Sequence, residues 1–253
     1  MKGSKKLIWN VGCSGFYYKH WRPDFYSEDI PIRSWFEYYS TVFKTVELNT
    51  TFYNFPKPEM LNGWYKKSPD DFIFTVKVPR LITHYKKFVD CKTVLNDFYK
   101  IINAGLKEKL GCVLFQLPSN IKYSKKKLEE IIQSLEKKFM NVLEFRDASW
   151  WNDDVLSHLA KNNITFCGIS HPELPDQVIH NTAVLYYRFH GVPRLYTSAY
   201  SVEGLRKVIS EIQKSTGTKK VFLYFNNDSK GWAYRNAQTV LEMTGNVLQA
   251  ESR

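Results

Sequence analysis

The sequence predicts an α/β fold, a single-domain (β/α)8 barrel of the TIM type spanning residues 1–253. Three observations carry that reading. Short runs rich in Val, Ile, Leu, Phe and Tyr alternate with longer segments of helical periodicity, and strands joined by helix-length segments pair in parallel. No linker, repeat or low-complexity stretch divides the chain, and 43% hydrophobic with 16% aromatic residues is ample for one large core. Polar side chains gather at the C-terminal ends of the runs, where barrels carry their sites. An open doubly wound sheet is the alternative, but no strand is followed by GxGxxG or GxxxxGK[ST].

The elements follow in order. Leu7 to Ser14 is strand one, stopped by Gly15, and a loop rich in Trp and Tyr leads to a helix over Ser34 to Thr41. Strand two, Phe43 to Thr50, precedes a helix from Pro58 to Lys67 and strand three, Phe72 to Val78, which Pro79 ends because it supplies no ladder donor. A helix over Cys91 to Lys107 leads to strand four, Cys112 to Leu117, closed by Pro118. Lys125 to Lys138 is amphipathic, with Leu128, Ile131, Ile132 and Leu135 at helical spacing. Strand five is Asn141 to Arg146, and Asn152 or Asp153 can cap a helix reaching Lys161. Strand six is Ile164 to Ser170. The connection from His171 to Asn181 holds two prolines and is too short for a long helix, so the unit after strand six is degenerate. Strand seven (Ala183 to His190), a helix over Val202 to Ser215, strand eight (Val221 to Asn226) and a helix from about Trp232 to Leu248 complete the chain.

The composition limits partners and setting. Four cysteines form no CxxC pair, Met1 to Lys6 leads into a strand-like run rather than an apolar signal segment, and no apolar run is long enough to cross a bilayer. A reducing cytoplasm and no membrane partner are expected. The net charge of +11 favours encounter with anions. The lysines are scattered in small groups, however, which also suits a merely solvated surface.

With a strand's period of two, parity places Ser14, Glu47, Asn49, Lys77, Gln116, Glu144, Arg146, Arg188, His190 and Asn226 on the inner face. The bland alternative is a closed ion-pair network, with Glu47 beside Lys77 and Glu144 beside Arg146. Converging charges cost desolvation, which favours a ligand-using site. Three cations (Lys77, Arg146, Arg188) against two carboxylates leave the rim positive. His84 follows strand three, and the loop from Asn227 to Gly231 runs into a helix N-terminus, so an oxyanion near Arg188, Asn227 and Gly231 is expected. Glu47, Glu144, His84 and His190 could in principle hold a metal, but Lys77 and Arg146 would repel it and no HExxH spacing occurs; neither a metal nor another cofactor is expected. Neither Ser14 nor Cys13 sits in a GxSxG elbow.

Several motifs together carry a resemblance. Gly12-Cys13-Ser14-Gly15-Phe16, Glu47 through Tyr53, Thr83-His84, Phe115-Gln116-Leu117-Pro118, Glu144-Phe145-Arg146 with Trp150, Tyr187 through Gly191, and Tyr224-Phe225-Asn226-Asn227 resemble, in order, the YecE-like family of proteins of unknown function. The resemblance implies a TIM-type barrel and supplies no activity. Cys13 and Phe16 stand where the family more often has Thr and Trp. The residues themselves suggest a metal-independent enzyme, a hydrolase or isomerase, acting on a phosphorylated or other anionic substrate. Glu47, Glu144 and His190 would then be the catalytic acid/base groups, with Ser14, Asn49, Lys77, His84, Gln116, Arg146, Arg188, Asn226, Asn227 and Gly231 binding. The alternative is a nucleic-acid-binding protein whose Tyr17, Tyr18, Trp21, Trp151 and Tyr196 stack on bases. A glycoside hydrolase is a weaker third reading, because the cations would keep both carboxylates ionised when one must be an acid.

Overall fold

The structure, a computed structural model, describes residues 7–245. Eight parallel strands curve around one axis: β1 (Ile8–Cys13), β2 (Thr45–Leu48), β3 (Ile73–Lys77), β4 (Leu110–Gln116), β5 (Met140–Glu144), β6 (Thr165–Ser170), β7 (Val184–Phe189) and β8 (Lys220–Phe225). Ladders run in the order β1-β8-β7-β6-β5-β4-β3-β2. Helices α1 (Trp35–Val42), α2 (Thr50–Tyr53), α3 (Pro58–Lys67), α4 (Lys92–Leu106), α5 (Lys125–Ser134), α6 (Asp153–Lys161), α7 (Val202–Gln213) and α8 (Trp232–Thr244) lie between them. The barrel and its single-domain arrangement are as the alternation implies. Ser124, Asn152 and Ser201 each accept a backbone N–H at the start of α5, α6 and α7, and Pro58 opens α3, where a missing N–H costs nothing.

Among the described residues no ladder joins β1 to β2, and a side chain closes that seam instead. The Cys13 N–H donates to the Tyr39 hydroxyl, which donates to Thr45 O, both at 2.9 Å. The strands can approach because position 12 is glycine: a Cβ there would fall 2.2 Å from Thr45 O. Tyr39 is fully buried, so removing its hydroxyl strands a donor and an acceptor. Tyr39→Phe is expected to lose about 1–3 kcal/mol in urea unfolding. Unchanged stability would show that the seam holds without the bridge.

The connection between β6 and β7 has no helix, as expected of a degenerate unit. It lies flat on the strands, since a Cβ on Gly168 would come within 2.6 Å of Gln177 O. Asp176, in that connection, accepts from Ser170 Oγ at 3.0 Å and from the Tyr187 hydroxyl.

Some boundaries differ from expectation for local reasons. β2 stops at Leu48 because Asn49 turns into the helical region (φ −92, ψ −14) and starts the single turn α2. α5 stops at Ser134, not Lys138; Leu135 is extended, and the chain turns so that Phe139 stacks on Tyr99 with ring centroids 4.4 Å apart. β5 leaves the ladder at Glu144, although Phe145 stacks on Trp150 at 4.2 Å and keeps the parity as far as Arg146. α8 ends at Thr244, where Gly245 (φ 67) forms a left-handed cap. The expected extension to Leu248, like Met1 to Lys6, lies outside the described residues.

Most of the core sits between strands and helices. A separate cluster inside the barrel (Cys112, Leu114, Val142, Cys167, Ile169, Tyr186, Phe222 and Tyr224) plugs its lower part. Polar side chains therefore meet at the C-terminal end. Among the described residues, no helix is long and apolar enough to cross a membrane.

Candidate functional site at the barrel mouth

Arg188 on β7 is the centre of the site. It is fully buried, as are the two carboxylates it joins: Nη1 donates to Glu144 Oε2 at 2.5 Å and Nη2 to Glu47 Oε1 at 2.6 Å. One guanidinium thus ties β5 to β2 across the barrel. The Tyr186 hydroxyl, two residues earlier on the same face, donates to Glu47 Oε2 at 2.5 Å. Below it, the Tyr224 hydroxyl lies 2.6 Å from Thr45 Oγ1 and 2.9 Å from Thr75 Oγ1. The carboxylates, phenols and threonine hydroxyls near the axis accordingly have partners, which is the condition for burying them, whereas the Nε atoms of Arg188 and Arg146 have none within the protein.

Above Arg188, Glu144 is shared. Its Oε1 lies 2.6 Å from Arg146 Nη2 and 3.2 Å from His190 Nε2. His190 Nδ1 lies 3.2 Å from Asn226 Nδ2, and its Nε2, besides facing Glu144, lies 3.1 Å from Arg146 Nη2, so the ring is held between the amide, the carboxylate and the guanidinium. Burial, then Arg146 and Arg188, pushes His190 well below its ordinary value, so it is neutral. Burial alone would raise the Glu144 carboxyl, but Arg146 and Arg188 outweigh it and hold the group well below the usual carboxylate range. Glu144 is therefore ionised and unsuited to be a proton donor at neutral pH.

Lys77, at the end of β3, is the cation left over. It is 9% exposed, and no ion pair joins it to Glu47, whose neighbour in register on β3 is Thr75. The expected Glu47–Lys77 pairing is thus replaced by the Glu47–Arg188 pair. The Lys77 ammonium lies 4.2 Å from the centre of the Phe52 ring. Burial, then Arg188, brings its pKa down to about 8 against the opposing pull of Glu144 and Glu47. The same cations act on the histidines around them. His84 is pushed down to about 4 by burial, then by Lys77, Arg146 and Arg80. His171, which strand parity did not identify, is lowered by burial and by Arg146, and its ring centroid lies 6.0 Å from that of His190.

The structure thus gathers Glu47, Glu144, Arg146, Arg188, His190 and Asn226 into one bonded network, with Lys77 and His84 close enough to feel its charges. Gln116 is opposite Glu144 in register and donates to Leu117 O at 2.9 Å. The others lie elsewhere. Asn49 has left the strand, so parity no longer directs it to the axis; its Nδ2 donates to Ser14 O at 3.3 Å, and both residues line a neighbouring cavity. The expected oxyanion cradle of Arg188, Asn227 and Gly231 is not formed. Both terminal nitrogens of Arg188 already face carboxylates. Asn227 is buried, donating to Ser198 O at 3.0 Å and Asn236 Oδ1 at 2.9 Å. Ahead of α8 sits the Asp228 carboxylate, 2.6 Å from Trp21 Nε1 and 2.8 Å from His20 Nε2, so an outside anion would meet a like charge. Tyr186 could have been found from the sequence, because it shares the parity of Arg188 and His190.

Known proteins share this framework. The profile described as "Protein of unknown function DUF72" matches residues 10–252. The UPF0759 protein YecE of Escherichia coli K12 is 35% identical over 83 residues, a stretch covering 33% of this chain and only 30% of that protein. The UPF0759 protein YunF of Bacillus subtilis is 25% identical over 250 residues, 81% of this chain and 84% of that one. A crystal structure of a DUF72 family protein from Thermotoga maritima superposes with a TM-score of 0.85 and 30% identity, covering 94% of this chain and 99% of that one. One from Enterococcus faecalis, at 19% identity, shares the fold with a TM-score of 0.79 over 97% of both chains. As the YecE-like motifs implied, and with the profile matched along nearly its whole length, the chain belongs to the DUF72 family of proteins of unknown function.

Proposed function

We propose that this protein is an enzyme that acts, without a metal, on a small phosphorylated or carboxylate substrate at the barrel mouth. Lys77 is its reactive group and Arg146 its principal anion contact. The observation that carries the reading is the charge left over: three buried or nearly buried cations face two carboxylates, and both carboxylates are already engaged by Arg188. An anion would balance the excess, and a desolvated amine that loses its proton near pH 8 is suited to act as a base or to attack a carbonyl. This moves the acid/base role from Glu47 and Glu144 to Lys77. The carboxylates and His190 hold Arg188 and Arg146 in place. A cytoplasmic setting is part of the proposal, in keeping with four buried free thiols.

A second reading has one observation in its favour. The exposed rings of Tyr53 and Tyr85 flank Arg80, at 5.6 and 5.5 Å, next to the mouth, an arrangement on which bases of a single strand could stack. Trp21, expected to stack, is instead buried beneath Asp228. Thermal-shift and calorimetric titrations with phosphate, sulfate, sugar phosphates and small carboxylates decide between the readings. At least one anion is expected to stabilise the protein, with roughly tenfold weaker binding by Arg146→Gln, the change expected when a charge-assisted contact is lost. No response to any of them would sink the enzyme reading. Salt-sensitive oligonucleotide binding without any small-anion binding would favour the second.

A further inference from the structure

A cavity of about 590 Å³ opens beside the mouth between α1, α3 and the loops after β1 and β2. That volume lies within the range of sites for small molecules. Phe16, Tyr18, Phe36, Leu48, Met60 and Trp64 form its walls. At its rim Tyr17, Ile32 and Tyr53 are 58%, 37% and 63% exposed, so large apolar side chains meet water on one edge. None of Lys77, Glu144, Arg146 or Arg188 lines it. The inference is thus independent of the reading of the mouth.

The floor shows what the cavity lacks. Ser14 is 1% exposed, and its hydroxyl has no partner in the protein; neither has the buried Asn49 Oδ1. Ser14 O is occupied, accepting from the Tyr18 hydroxyl at 2.7 Å and from Asn49 Nδ2 at 3.3 Å, and that second bond orients the amide so that its oxygen is the free atom. Two acceptors, one of which can also donate, are left unsatisfied in an apolar enclosure, a cost that a ligand's donor would remove. The charges do not favour an ion. Arg33, Glu59 and Lys67 line the cavity, and Lys67 is paired with Glu37 Oε1 at 2.6 Å. Finally, Gly63 lies within α3, where glycine weakens a helix, yet a Cβ there would meet nothing within 4 Å. A larger residue would fit without strain and grow into the cavity.

We infer that this cavity binds an uncharged, flat aromatic molecule carrying an N–H or O–H donor, its ring against the aromatic walls and its donor at Ser14 Oγ and Asn49 Oδ1. Calorimetry with indole, benzamide and adenosine, each at up to millimolar concentration, tests it, with N-methylindole and benzoate as controls. At least one of the first three is expected to bind. N-methylindole, which lacks the donor, and benzoate, which is charged, should each bind at least tenfold more weakly than its counterpart. Gly63→Leu should abolish binding while keeping the parent's circular dichroism, and Asn49→Leu should weaken it about tenfold, with Ser14→Ala as the substitute if Asn49→Leu does not fold. Failure of all three compounds to bind overturns the inference. So does undiminished binding to Gly63→Leu, or control compounds that bind as tightly as their counterparts.

Discussion

Arg188→Met is expected to be the most damaging single substitution in the protein, costing about 3–5 kcal/mol or preventing folding altogether. The side chain is 1% exposed and joins two fully buried carboxylates, so its loss leaves Glu47 and Glu144 charged, desolvated and close together. The pair is costly to break rather than intrinsically stabilising, and this yields a second expectation. The triple variant Glu47→Gln, Glu144→Gln, Arg188→Met removes the two stranded carboxylates but also takes the counter-charge from Arg146, so it should recover part of the loss. Urea unfolding measures both. A triple variant as unstable as Arg188→Met alone would mean that shape rather than charge makes Arg188 indispensable.

Lys77→Met is expected to act in the opposite direction and stabilise the protein near pH 7. The Lys77 pKa, about 8, lies below the ordinary lysine value of 10.5, so folding penalises the charged form. Between those two values the unfolded chain holds more protons than the folded one, and stability must rise with pH across that window. The difference corresponds to about 3 kcal/mol at most, with the full penalty present below pH 8. Lys77→Met removes the charge, keeps a flexible chain of similar length over Phe52 and should flatten the pH dependence between 8 and 10.5. A residue that lowers stability where it stands is one held for its chemistry. Chemical denaturation of parent and variant across that range is the check, and parallel curves would refute the shifted pKa.

Much of this site is legible in the sequence because a strand's parity is rigid. Glu47, Glu144, Arg188 and His190 lie in or directly beside the strands, and alternation alone puts them on the axis. The method fails where the chain leaves the strand. Asn49 shares the parity of Glu47, but its backbone has already turned helical. Partners across the barrel are equally hidden: neighbouring order suggested Glu47 with Lys77, while the structure pairs Glu47 with β7, on the other side of the axis. The hydroxyl of Tyr39 on α1 bridges β1 to β2 where the barrel closes, and no periodicity announces it. The cavity beside α3 likewise depends on how two helices and two loops pack. Its one sequence trace is a glycine within a helix.

The central claim is that Lys77 is an amine of lowered pKa in a mouth that accepts anions. Acylation by a small reagent, read residue by residue by mass spectrometry from pH 6 to 11 with and without the stabilising anion, tests it most directly. The account predicts a Lys77 midpoint near 8, well below that of surface lysines, and on addition of the anion a higher midpoint together with slower labelling, since a bound negative charge favours the ammonium form. A Lys77 that titrates with the surface lysines, and whose labelling no anion alters, would contradict it.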